Sequence, residues 1–380
     1  MLQESNSPQK CVMIVAGEAS GDMHGANLVR QMRSQAGDSL FFCGVGGQAM
    51  RSAGVKIVID ASQLSVVGIT EVIRKLPEIF AGMSATKRIV LSGLPDLLIL
   101  VDFPDFNLRL AAVAKRMGIP VFYYIAPQVW AWRQGRVRTI RKLVDRMAVI
   151  LPFEEEFFTS HGVPATFVGH PLLDVEKSSH TTTVSDRDGP VVGLLPGSRP
   201  GEVERHLPIM MKAAAMIGKS RDDITFLVSC APSVPIEHVA RITEPFEGRT
   251  RFALVAGGAG EVLGQSTLVV TASGTVGLET ALYGVPMVVI YRVSLVSYLL
   301  ARALVRIKNI SLVNLIAGRE IVPELIQGNA SAGNIAGQIL QMVGDGKVLE
   351  EARRNLAMVR EKLGGPGASA RAAQIALGLL

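Results

Sequence analysis

Three cysteines in 380 residues, Cys11, Cys43 and Cys230, lie far apart in the chain, and none forms a C-x-x-C pair. Neither a zinc site nor a disulfide framework is suggested, and the expected setting is reducing and cytoplasmic. Aromatic residues are only 5% of the chain, which disfavours a surface built for base stacking. No 18 consecutive residues are apolar, so no membrane-spanning helix is expected. Residues 1–10 are polar and lack the apolar core of a signal peptide. There is no G-x-x-x-x-G-K-[ST], which excludes a P-loop nucleotidase. The six histidines make no H-x-x-x-H pair, and Asp102 and Asp105 stand three apart. Neither spacing makes a metal site, and no cofactor is expected.

What the chain does have is core material. It is 48% hydrophobic and 19% charged, which excludes disorder as the dominant state. At about 150 residues per domain, the length predicts roughly two to three domains. The charge is +6, the pI about 9.3 and the mean hydropathy +0.33. That balance admits an anionic partner: nucleic acid, a phosphorylated small molecule or an acidic membrane face.

Solid apolar runs at 11–16, 40–43, 97–101, 121–125 and 147–151 read as strands buried on both faces. Helical patterns separate them, one of them at 24–35. The stretch 175–189 is the most polar and reads as a linker. Beyond it the alternation restarts with strands at 191–195, 225–229, 252–255, 268–270 and 287–290. The expected fold class is α/β, two Rossmann-like domains facing across a cleft. Domain one is 1–175, completed by a C-terminal helix in 350–380; domain two is 186–349.

Several strand-to-helix loops carry chemistry. Gly44-x-Gly46-x-x-Ala49 resembles a dinucleotide fingerprint, but its acidic partner is misplaced, so it reads as a tight turn. GEASGD at 17–22 offers Glu18, Ser20 and Asp22 where α/β folds bind ligands; Ser20 or Asp22 would equally serve as an N-cap. LPGSR at 195–199, with Glu202 opening a helix, gives small residues, Gly197 and Ser198, beside a permanent cation, Arg199. ASGTVGLE at 272–279 sets Ser273, Gly274 and Thr275 at a helix N-terminus, a ready diphosphate site, with Glu279 in reach of a ribose. Simple capping by Ser273 or Thr275 is the competing reading. Asp102 ends an apolar strand, where partial desolvation would raise its pKa toward that of a general base. It would equally cap the next helix. His170 reads as a structural turn histidine.

Taken with VGITEV (67–72), DFPDFN (102–107), PQVWAWR (127–133), LPFE (151–154), FVGHP (167–171) and the run 311–327, these loops resemble the lipid-A-disaccharide synthases. These are inverting glycosyltransferases of the GT-B fold. The resemblance runs from about residue 12 to 325 and implies a reaction. UDP-2,3-diacylglucosamine is joined to 2,3-diacylglucosamine 1-phosphate (lipid X), giving the β-1′,6 disaccharide of lipid A and UDP. By position, it implies Asp102 as the catalytic base. Gly197, Ser198, Arg199, Ser273, Gly274, Thr275, Glu279 and Asn314 would hold UDP, and Glu18, Ser20, Asp22 and Gln128 the acceptor. Two rivals share the scaffold: another GT-B enzyme, such as a UDP-GlcNAc epimerase or other UDP-sugar transferase, and a non-catalytic nucleotide-sugar-binding protein. UDP release with and without an acylated acceptor separates the three.

The segment 71–80 places Val72, Ile73, Leu76, Ile79 and Phe80 on one helical stripe, fit for a membrane interface or for a core, with Pro77 against an unbroken helix. A second such stripe is 291–308. Between Trp132 and Arg146 six cations oppose only Asp145, a solvated face or an attraction to anionic lipid. The expected partners are the two lipid substrates and, peripherally, the cytoplasmic face of the inner membrane. Nucleic acid is not expected, and a homodimer is admitted.

Overall fold

The computed structural model describes residues 9–63, 69–174, 189–294, 298, 302 and 308–380. It divides into two compact units, Met1–Val175 with Leu363–Leu380, and Glu176–Lys362. The linker at 175–189, save its last residue, and most of the 291–308 stripe lie outside the described residues.

The first unit is built on seven parallel strands: β1 (Lys10–Ala16), β2 (Leu40–Gly46), β3 (Lys56–Asp60), β4 (Leu97–Val101), β5 (Val121–Tyr124), β6 (Arg146–Val149) and β7 (Ala165–Phe167). Their spatial order is β3-β2-β1-β4-β5-β6-β7. Helices α1 (Ala19–Ala36), α2 (Gln48–Ser52), α3 (Ile69–Leu91), α4 (Pro104–Arg116), α5 (Val129–Trp132), α6 (Val137–Leu143) and α7 (Pro152–Ser160) fill the connections. The apolar runs are explained by burial on both faces. In β1, Cys11, Met13 and Val15 enter one core cluster, while Val12, Ile14 and Ala16 enter the other, as a period of two demands.

The second unit repeats the plan with β8 (Val191–Leu195), β9 (Thr225–Cys230), β10 (Arg251–Ala256), β11 (Leu268–Ala272), β12 (Met287–Tyr291) and β13 (Glu324–Ile326). Their order is β10-β9-β8-β11-β12-β13, again all parallel. Its helices are α8 (Pro200–Ile217), α9 (Ile236–Thr243), α10 (Ala259–Leu263), α11 (Thr275–Tyr283), α12 (Leu312–Ala317), α13 (Ala332–Gly344) and α14 (Gly346–Lys362). A last helix, α15 (Ala368–Leu377), returns to the first unit.

The expectation that all of 350–380 completes the first domain is corrected here. Leu349 and Ala352 of α14 are buried in the core of the second unit, and the helix packs on α11, α12 and α13. Only α15 crosses back, laying Ala372, Ala373 and Ala376 into the core beside α1. Asp174 secures it, accepting the N–H groups of Gly367, Ala368 and Ser369 at the helix's start.

Both strand orders reverse direction at one place, between β1 and β4 in the first sheet and between β8 and β11 in the second. Ligands of open parallel sheets bind outside the strand ends at such points. GEASGD follows β1 and Asp102 follows β4; LPGSR follows β8 and ASGT follows β11.

Candidate functional site

In the first unit the two loops at the switch point are interlocked. Asp102 and Phe103 both take left-handed backbone angles, with φ of 44° and 48°. Ile125, just past the neighbouring strand β5, does the same at 61°. For residues with a side chain this costs of order 1–3 kcal/mol each and persists only where surroundings enforce it. The Phe103 ring stacks on Phe106, centroids 5.2 Å apart. It also lies so close to Gly17 that a Cβ there would come within 2.3 Å of it. A glycine at 17 is therefore required by the Phe103 ring, and Glu18 follows at once.

The Asp102 side chain keeps an open face to solvent while protein atoms crowd its other sides. That enclosure, with the nearby negative charge of Glu18, pushes its pKa up to about 6, against a pull from the Phe103 N–H. It does not cap α4; Phe103 occupies the N-cap position.

Glu18, Ser20 and Gln128 are exposed. Asp22 is not available to an acceptor, which corrects the expectation. It is 7% exposed and lies inside α1, because that helix begins at Ala19 rather than at residue 24. Neither it nor Ser20 is the N-cap, which is Glu18 without a side-chain bond. The Asp22 carboxylate accepts the N–H groups of Gly47 at 2.6 Å, Ala49 at 2.8 Å and Met50 at 3.2 Å. It thus fills the N-terminus of α2, the position a dinucleotide's pyrophosphate would need behind Gly44-x-Gly46. The fingerprint is occupied by the protein's own anion.

Trp130 is buried, its Nε1–H donating to Glu154 Oε1 at 2.9 Å. Glu154 also accepts from the Leu151 N–H; complete burial pushes its pKa up to about 7. Trp132, 46% exposed, lies under the Arg133 guanidinium at 4.1 Å. The cations here do not face Asp145, which binds Lys115 and the Val121 N–H. Arg133 and Arg136 instead converge on Asp105 of the DFPD turn. His170 is a turn residue, its Nδ1 accepting the Leu172 N–H.

Helix α3 runs unbroken through Pro77. Ile79 packs against the core and Phe80 is 58% exposed, so Ile79 does not belong to a free apolar face. The side chains of Val72, Ile73 and Leu76 lie outside the described residues. Cys11 and Cys43, distant in sequence, meet across β1 and β2 with sulfurs 4.0 Å apart.

In the second unit, Gly197 takes φ of 124°, and a Cβ there would come within 2.5 Å of Glu202 Oε2. That oxygen accepts the Ser198 N–H at 3.1 Å, and Glu202 Oε1 lies 3.4 Å from Arg199 Nη1. Glu202 therefore shapes the loop, leaving Arg199 half-exposed at the start of α8. Ser233 Oγ–H donates to the Ser198 carbonyl at 2.6 Å. At α11 the N-cap is Gly274, in extended backbone and without a side-chain cap. Capping by Ser273 or Thr275 is thus overturned, since neither side chain makes the cap bond; the Ser273 backbone N–H donates to Ile290 O. The exposed first turn at Gly274 and Thr275 presents the N–H donors that a helix leaves unpaired. Glu279 is half-buried on the same helix, and desolvation raises its pKa.

Asn314 is corrected as well. It is fully buried. Its Nδ2 donates to Val322 O and Glu324 Oε1, and its Oδ1 accepts from Ile321 and Val322 N–H. Every side-chain bond it can make is spent on Ile321, Val322 and Glu324, the run that leads into β13, so none remains for UDP.

Three residues here were not singled out from the sequence. His206 is buried, with Nε2 accepting the Arg292 N–H at 3.3 Å and Nδ1 2.9 Å from Pro196 O. The first bond leaves Nε2 unprotonated, so Nδ1–H donates to Pro196, and the neutral ring ties the end of β12 to the LPGSR loop. Its signal was the Glu202-x-x-x-His206 spacing, which puts both on one face of α8. Asn107 and Tyr123 lie beneath Asp102; the only sequence signal was an amide on the apolar face of α4.

A family model for lipid-A-disaccharide synthetase matches residues 12–378. The chain is 46% identical to the lipid-A-disaccharide synthase of Syntrophus aciditrophicus over 381 residues, covering 98% of each. It is 44% identical to that of Geobacter metallireducens, again covering 98% of each. Among solved structures, the UDP-bound MnaA of S. aureus superposes with a TM-score of 0.64 at 14% identity, covering 98% of both chains. The MurG of Acinetobacter baumannii gives 0.61 at 14%, covering 97% of this chain and 99% of that one. Those distant likenesses show the fold, two Rossmann-like domains of the GT-B kind. Full-length identity above 40% shows more: the chain belongs to the lipid-A-disaccharide synthetase family, glycosyltransferases of lipid A synthesis.

Proposed function

We propose that this protein transfers the sugar of UDP-2,3-diacylglucosamine to a hydroxyl of lipid X, with inversion. The Asp102 carboxylate takes the hydroxyl proton, and the freed oxygen attacks the donor's anomeric carbon. The bond from that carbon to the diphosphate breaks, and UDP leaves. Arg199, the Gly197 N–H and the N–H donors of the α11 N-terminus would stabilise the charge that develops on the diphosphate, the Ser198 N–H being held by Glu202. Glu279 would take the ribose, and Glu18, Ser20 and Gln128 the acceptor. The observation that carries this reading is the arrangement of each sheet. Both bring their motif loops to their own switch point, a strained aspartate in one and a helix N-terminus without a side-chain cap in the other.

Work at an anionic membrane surface fits the exposed Phe80, Trp132, Arg138, Arg141 and Lys142. We place the enzyme peripherally on the cytoplasmic face, and a homodimer is open to test by sedimentation. The deciding experiment follows UDP release from UDP-2,3-diacylglucosamine with and without lipid X. Release should require both substrates and give a β-linked disaccharide. Turnover of the donor alone, or none with both, would overturn the proposal. Arg199→Ala should weaken UDP binding, and an unchanged affinity removes Arg199 from the diphosphate site.

A further inference from the structure

The peptide that follows β4 has an unusual environment. With φ at 44°, the Asp102 carbonyl turns inward, away from the strand ladder, while its side chain keeps an open face. An inward carbonyl without partners would be a buried orphan acceptor. Two side chains meet it. Tyr123 Oη–H donates to it at 2.6 Å, and Asn107 Nδ2–H at 2.6 Å. Asn107 Nδ2 also reaches the Val101 carbonyl at 3.2 Å. Both residues are fully buried, one on β5 and one on α4, the two elements that flank the turn. The Phe103 ring against Gly17 holds the other side of the same peptide.

We infer that Asn107 and Tyr123 are positioning residues for Asp102. They hold its peptide in the left-handed turn and so aim the carboxylate, without touching substrate themselves. The inference rests on the reading of Asp102 as the base. Without the two donors the inward carbonyl loses its partners, and the turn relaxes and carries the carboxylate with it. A displacement of about 1 Å at a reacting group is enough for a loss on the order of 10²-fold.

The test uses Tyr123→Phe, which keeps the ring, and Asn107→Leu, which keeps the volume. Each should lower kcat at pH 8 by roughly tenfold or more, while the dissociation constant for UDP, bound by the other unit, stays unchanged. Adding Tyr123→Phe to Asp102→Asn should lower the residual rate no further, since a positioning residue acts only through the group it positions. Wild-type kcat in a folded Tyr123→Phe, or an additive loss in the double variant, overturns the inference. If Asn107→Leu does not fold, Tyr123→Phe decides alone. Asp102→Asn with near-normal turnover is a separate outcome, and it overturns the base reading itself.

Discussion

The pKa of Asp102 makes the acid limb of the pH–rate profile the most direct probe of the site. An ordinary aspartate, near 3.8, is almost wholly ionised at pH 5. At about 6, only about a tenth of Asp102 is ionised there, since each pH unit below the pKa is a factor of ten. The base must be unprotonated to act, so kcat/KM should be flat above pH 7 and fall below 6, reaching about a tenth of its plateau at pH 5. The protein atoms crowding its closed sides are the larger cause and Glu18 the second. Glu18→Gln removes a negative neighbour and should therefore move the limb to lower pH, without restoring the ordinary value. Linkage adds a second readout. A raised carboxyl pKa means the folded chain holds the proton more tightly than the unfolded one. Stability therefore drops as pH rises from 3.8 to 6 and stays low above. Asp102→Asn should melt higher than the wild type above pH 6 while losing turnover. The assay is steady-state UDP release between pH 5 and 8, with Glu154→Gln as a control for the buried acid near 7. A rate that is level down to pH 5, or a limb that Glu18→Gln moves upward, refutes the reasoning.

Three further outcomes follow from bonds described above, and two use the fact that both tryptophans, Trp130 and Trp132, sit in the first unit. Asp22→Ala strips three N–H groups of α2 of their acceptor, so the denaturant midpoint seen by tryptophan fluorescence should fall by an amount equivalent to about 3 kcal/mol; a change under about 0.5 kcal/mol would show that solvent replaces the carboxylate. Burial, with His24 beside it, lowers His170 to about 4 from an ordinary 6.5. The ring folds neutral, and its contribution to stability is present above pH 6.5 and lost as pH falls toward 4, up to about 3 kcal/mol. His170→Gln should therefore gain on the wild type steadily below pH 6.5, and a pH-independent difference counts against it. His206→Asn, placed to keep the donor to Pro196, and His206→Gln, placed to keep the acceptor for Arg292, should each weaken UDP binding about tenfold, or 1.4 kcal/mol, by calorimetric titration. Unchanged affinity in both would remove the bridge from the donor site.

Much of the fold was legible because its determinants are local. A run such as Leu97–Val101 reads as a strand buried on both faces, and alternation with helices selects the parallel sheet. The short strands were harder: β7 and β13 have three residues each, and β13 is half-buried throughout. The last helices were divided wrongly because which core takes α14 and which takes α15 depends on surfaces made by residues far away in the chain.

The residue types that bind a ligand and those that hold a loop are the same types. Asp22 and Asn314 have the polarity and loop placement of site residues, yet both are consumed by backbone groups 7–28 positions away. The sequence by itself determined two parallel α/β units and the loops that carry glycine, hydroxyl, cation and carboxylate, because turn chemistry and burial periodicity are written in neighbouring residues. Strand order was decided only in three dimensions, and with it the pairing of β1 with β4 and of β8 with β11 that brings those loops together. The left-handed turn at Asp102 was decided there too. Its conformation is set by a tyrosine on β5, an amide on α4 and a ring lying over Gly17, contacts that exist only once the sheet has formed.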